Sequence, residues 1–160
     1  MTKRPRGTIT AKKEADHAFA QFIKHRDGWR CVICGHKSLI TCGHLFSRVA
    51  MSTRFDPTNA YAQCRGCNFL HESNPHVFTL WYLLQFGQAA YETLYRRYYQ
   101  TRQMKLADYV EIASEFQELR ENIRKPITYR VFPEVRAALK DNRALRDKLL
   151  AEMNRHLDIG

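Results

Sequence analysis

The chain has 160 residues, a formal net charge of +10 and a sequence pI near 9.6, with 44% hydrophobic residues. That length bounds it to one domain with at most a small satellite, and no stretch approaches the ~20 apolar residues of a membrane-spanning helix. The basic excess points to a polyanionic partner, with nucleic acid the first candidate.

Met1 to Lys13 is basic and polar, carrying Lys3, Arg4 and Arg6 around Pro5 and Gly7. It lacks the apolar core of a secretory signal and reads as a flexible arm over 1–13. A helix is expected from about Ala11 to Arg26 with Thr10 as its N-cap. Ala15, Phe19, Phe22 and Ile23 fall on one face of it, at i, i+4, i+7 and i+8. Asp27-Gly28 ends the helix, and Trp29-Arg30 leads into Cys31-Val32-Ile33-Cys34, followed by the turn residue Gly35.

A second pair, Cys64-Arg65-Gly66-Cys67, follows after 29 residues. Without an export signal, paired cysteines read as metal ligands in a reducing compartment, not as disulfides. Two C-x2-C knuckles can offer four thiolates at about 2.3 Å from one shared ion, which predicts a structural zinc site at Cys31, Cys34, Cys64 and Cys67. Cys42 is left over and reads as a small buried apolar residue.

Between the knuckles, Leu39 to Phe46 reads as a strand and Ser47 to Pro57 as a loop containing Arg48 and Arg54. Asn59 to Gln63 returns as a second strand, and Asn68 is expected to open a short helix reaching about Glu72. The expected class is α+β, mostly α: a ββα-metal unit stapled by zinc and embedded in a helical domain. A unit of ~40 residues needs such a staple.

Beyond Ser73-Asn74-Pro75 the pattern is helical. Helices are expected over Pro75–Phe86, over Gln88–Arg102 with Tyr91, Tyr95, Tyr98 and Tyr99, and over Lys105–Ile123. An extended stretch to Phe132 and a long helix from Pro133 to Leu157 follow. The tyrosines fit a core stripe better than a base-stacking surface. Leu145, Leu149 and Met153 repeat at i+4 and offer a seam for a homodimer. The chain divides into an arm (1–13), a first helix with the knuckle module (14–74), a helical part (75–125), and a linker with the final helix (126–160).

Three polar residues carry chemistry. His44, at the end of the first expected strand, has the neutral ring a general base needs near pH 7. Asn59 is placed to orient that ring, and Asn68 offers a hard oxygen suited to Mg²⁺ or Mn²⁺. His71, one turn further on, is a second candidate ligand for that ion, and Arg48 and Arg54 are candidates to clamp a DNA phosphate. A His, an Asn fifteen residues on and an Asn nine later, in a strand, a loop and a helix start, resemble the layout of an HNH nuclease.

The resemblance narrows further. Cys42-Gly43-His44-Leu45-Phe46-Ser47-Arg48, Arg54-Phe55-Asp56-Pro57-Thr58-Asn59 and Gln63-Cys64-Arg65-Gly66-Cys67-Asn68 look like the NinG/Rap recombination endonucleases of lambdoid phages. The likeness spans about Ala15 to Asn74 and extends loosely into the helical part. It implies a zinc-stapled HNH (His-Me finger) fold that cuts branched DNA such as Holliday junctions and D-loops, in the cytoplasm of a bacterial host. His44 then matches the family's base, Asn59 its central Asn and Asn68 its metal ligand. Gly43 stands where many HNH enzymes have a second metal ligand, leaving that place to water, His71 or Glu72. Ser73-Asn74 replaces the family's Gly-Asn. The alternatives are another HNH enzyme of nicking, homing or restriction type, a non-catalytic zinc-finger DNA-binding protein, and a zinc-scaffolded interaction module.

Overall fold

The computed structural model describes residues 6–142 and 144. In chain order its elements are α1 (Arg6–Arg26), β1 (Ile40–His44), β2 (Ala60–Cys64), α2 (Arg65–Ser73), α3 (His76–Phe86), α4 (Gln88–Tyr98) and α5 (Leu106–Glu121). A helical run over residues 133–142 follows. The protein is mostly helical with one small sheet, and no helix among the described residues is long and apolar enough to cross a membrane.

The basic segment read as an arm to residue 13 is helical from Arg6 onward. Ala11, at 5% exposure, already belongs to the core, whereas Gly7, Ile9 and Thr10 before it stay exposed. The dimer seam read from Leu145, Leu149 and Met153 lies outside the described residues.

β1 and β2 pair antiparallel, from Ile40 opposite Cys64 to His44 opposite Ala60. A lone hairpin is marginal in water, and here both faces are covered, so every residue of β2 is buried. Side chains alternate across the strand. Ala60 packs with Ala15, Phe19 and Ile23 of α1, which in turn pack on Tyr109, Ile112 and Phe116 of α5. Phe19 meets Phe116 edge-on at 4.9 Å. Tyr61 points the other way, 4.9 Å from the Trp81 ring and 6.1 Å from that of Phe78 on α3. The second core joins these rings to the cysteines and to Phe132, Val135 and Leu139. Residues 14–74 and 75–125 therefore contribute jointly to both cores.

One buried carboxylate ties the parts together. Asp27, 3% exposed, receives the Arg26 guanidinium at 2.7 and 3.1 Å. It also accepts from the Ala62 backbone N–H at 2.8 Å and the Tyr129 hydroxyl at 3.0 Å. Arg26 donates onward to the carbonyls of Pro57 and Ala60 and lies over the Tyr61 ring. The end of α1, strand β2 and the 126–130 segment thus meet at one ion pair.

Asp27→Ala strands the buried guanidinium and two donors at once, so it is expected to destabilise the protein by about 3–5 kcal/mol. Urea unfolding of the zinc-loaded protein measures this, and a loss below about 1 kcal/mol would deny the pair its structural role.

Candidate metal centre and polar cleft

The sulfur ligand atoms of Cys31, Cys34, Cys64 and Cys67 all lie within 4.8 Å of one another, and Cys34 Sγ is 3.6 Å from Cys64 Sγ. Zinc–sulfur bonds of about 2.3 Å in a tetrahedron require sulfur–sulfur edges of about 3.8 Å, so the four thiols form a site that can take one zinc ion. The first knuckle is bent by Gly35, whose φ of 79° favours glycine. Its N–H donates to the Cys31 carbonyl at 2.9 Å.

The thiols also govern one another's ionisation. Cys31, accepting hydrogen bonds from Cys34 and Cys67, is the first to lose its proton. Its charge then holds Cys34 protonated up to about 12 and pushes Cys67 higher still. Such mutual opposition is relieved when a dication sits among the sulfurs. Cys42 stays outside the cluster, with burial pushing its thiol up to about 12.

The sulfur cluster shapes α2 as well. Its N-cap is Cys64, whose Sγ accepts from the Cys67 N–H at 3.4 Å, the task a Ser or Asn usually performs. The helix therefore starts at Arg65, and Asn68 sits one turn inside it instead of opening it.

Cys42 and His44 of β1, Ser47, Arg48 and Val49 of the following loop, and Asn68, His71 and Glu72 of α2 line a cleft of about 590 Å³. Another groove, on α5, is lined by Leu106, Val110, Glu111 and Glu115 among others and contains no histidine or cation.

In the cleft, His44 Nε2 lies 2.9 Å from the Arg54 carbonyl oxygen. A carbonyl only accepts, so Nε2 carries the proton and Nδ1 keeps the lone pair. Burial holds the ring's pKa below the ordinary histidine value, which keeps it neutral at pH 7. His71 Nε2 likewise donates to the Leu45 carbonyl at 3.0 Å, and its Nδ1 is buried without a partner among the described residues. This makes His71 a brace on the end of β1, and the carboxylate one helical turn from Asn68 is that of Glu72.

Two assignments read from the sequence change. Asn59 does not touch the His44 ring. Fully buried, its side chain accepts from the Phe46 N–H at 2.8 Å and donates to the carbonyls of Phe46 and Thr53 at 3.0 and 3.1 Å. It closes the loop between the strands, and that loop brings the Arg54 carbonyl to His44. Arg54 is not free to clamp a phosphate either. It is 8% exposed, paired with both Asp16 oxygens at 2.7 Å, and donates to the Arg48 carbonyl at 2.6 Å. Arg48 itself is exposed at the cleft. The roles of Asp16 as the partner of Arg54 and of Asp27 as a buried anchor, beyond ending the helix, have no local sign in the sequence except the charge of Asp16 beside the apolar Ala15.

Gly43 also finds its reason. A Cβ there would lie 2.7 Å from Gln63 Cδ, and Gln63 is itself wholly buried. The position before His44 is occupied by a neighbour's amide and has no room for a metal-binding side chain.

These features define a small protein in which a four-cysteine cluster pins a two-stranded hairpin beneath helices, with a polar cleft at the hairpin's end. Residues 4–126 match the family model described as Bacteriophage Lambda NinG protein; the chain belongs to this bacteriophage family. No curated protein and no solved structure matches it.

Purified protein is expected to retain one zinc ion per chain by atomic absorption, and Cys64→Ser to lose it; undiminished zinc in that variant would overturn a tetrathiolate site. Stability should also depend on pH through His44 and His71, both lowered chiefly by burial. The unfolded chain takes up these protons first, below ~6.5. Stability is then fully present above ~6.5 and lost as pH falls through the lowered folded values. Urea midpoints at successive pH values check this, because His44→Gln and His71→Gln should each shrink the acid loss.

Proposed function

We propose that this protein is a metal-dependent DNA endonuclease of the HNH type, with the β1–β2–α2 succession as its ββα finger and branched recombination intermediates as its substrates. The observation that carries the reading is the cleft itself. A neutral histidine with a fixed tautomer faces, across one space, an exposed arginine and two hard oxygen donors.

In this reading His44 Nδ1 takes a proton from water as the oxygen attacks phosphorus. The P–O3′ bond breaks, the leaving oxygen takes a proton from solvent, and His44 returns its own. Arg54 contributes through its carbonyl, which fixes the ring, and Arg48 offers its guanidinium to the phosphate. Asn68 and Glu72 suit Mg²⁺ or Mn²⁺, because an amide oxygen and a carboxylate on one helical face are the oxygen ligands such ions prefer. A bound ion supplies charge stabilisation at the phosphate and the leaving oxygen. The net charge of +10 supports a DNA partner, and family membership supports a phage role in recombination.

The test compares zinc-loaded wild type and His44→Ala on a labelled four-way junction and its matching linear duplex, with and without Mg²⁺. Wild type is expected to cut the junction only with Mg²⁺, and His44→Ala to bind equally but cut at least about 100-fold more slowly. Binding by both with no cutting in Mg²⁺ or Mn²⁺ would leave a DNA-binding module instead. A junction-to-linear ratio near one would retain the nuclease but remove the branched substrate.

A further inference from the structure

Of the tyrosines on and just after α4, Tyr91 packs against the core as expected, but Tyr95 and Tyr99 do not. Leu94, wholly buried, anchors that helix, whereas Tyr95 and Tyr99 are 45% and 67% exposed. They belong to a continuous array of rings. Phe46 lies stacked against Tyr98 at 5.1 Å, 5.4 Å from Tyr91 and 6.0 Å from Tyr95. Tyr99 extends the array, 4.8 Å from Tyr95 and 5.0 Å from Tyr98.

The array adjoins the cleft through the chain itself. Phe46 is two residues beyond His44 and directly precedes Ser47 and Arg48, which line it. Phe46 is also clamped at its backbone by Asn59, and the loop is tied to α4 by Ser52 Oγ donating to the Tyr98 carbonyl at 2.9 Å. An ion pair of Arg97 with Asp56 at 2.6 Å adds a second tie. The array therefore holds a set position relative to the cleft. Charge around it favours an anion: Arg48, Arg96 and Arg102 are exposed, and the one acid within α4, Glu92, is bonded to Gln88.

Open aromatic faces beside spare cations are the equipment of single-strand binding, in which each base stacks on a ring while the backbone follows positive charge. Paired bases are already stacked and offer such rings no free face. We propose that Tyr95 and Tyr99, backed by Phe46, Tyr91 and Tyr98, form a stacking platform for unpaired nucleobases of DNA whose backbone enters the His44 cleft. The ligand class rests on the endonuclease reading.

The experiment uses full-length zinc-loaded protein without Mg²⁺ and measures anisotropy of a labelled duplex with splayed single-stranded arms and of the fully paired duplex. Tyr95 and Tyr99 lie outside both cores, so a paired Y95L/Y99L variant should fold, with thermal midpoints as the control. It is expected to weaken splayed-DNA binding about tenfold or more and paired-duplex binding by less than about twofold. The Y95F/Y99F pair should bind as wild type, because stacking needs rings and not hydroxyls. 2-Aminopurine in a single-stranded arm should be quenched by wild type and by the Phe pair but not by the Leu pair. Unchanged splayed-DNA affinity and quenching in the Leu pair, equal losses on both DNAs, or no DNA binding by wild type would each overturn the platform. Cutting with Mg²⁺ is scored separately. Discrimination without cutting sustains the platform and removes the nuclease, and cutting with an indifferent Leu pair does the reverse.

Discussion

A buried ion pair at the end of α1 is the constraint on which the remainder rests. Asp27 has four hydrogen bonds from three directions, and each satisfies a donor that would otherwise be stranded beneath the hairpin. Charges taken from water repay that cost only with such saturation. The arrangement also fixes where β2 lies relative to α1, and small Ala60 and Ala62 permit the close approach. With the strand set between the two cores, the sulfur cluster closes the opposite end of the hairpin.

The cleft depends on support from outside it. His44 owes its proton position to a carbonyl of residue 54, and that carbonyl owes its place to two anchors. The Arg54 side chain is clamped on Asp16, and the loop is closed by the Asn59 amide. A polar network fully satisfied in this way gives one geometry, where a partly satisfied one would give several. The residues that line the cleft and those holding them are thus interleaved in sequence, Arg48 with Arg54 and His44 with Asn59, and only position in space separates them.

Much of the frame was legible because it follows local rules. The C-x2-C pairs announced the sulfur cluster, the apolar stripe of Ala15, Phe19 and Ile23 announced the buried face of α1, and Gly87 marked the break between α3 and α4. What escaped was the direction in which polar side chains point. Arg54 looks the same in a sequence whether it faces a phosphate or Asp16, thirty-eight residues away, and Asn59 gives no local sign that it grips Phe46. The tyrosines misled in part: Leu94 and Tyr91 reach the core, but Tyr95 and Tyr99 do not. Helix starts shifted for a physical reason too, since a cysteine sulfur rarely serves as an N-cap and here it does.

That last detail has a consequence for how the molecule would fail. Cys64 belongs both to the metal-ligand set and to the first turn of α2, so its sulfur answers to two masters. Oxidation of that thiol would withdraw the cap and the ligand atom together. The first turn of α2, and with it the approach to Asn68 in the cleft, thereby shares one atom with the sulfur cluster, so neither can be altered without the other.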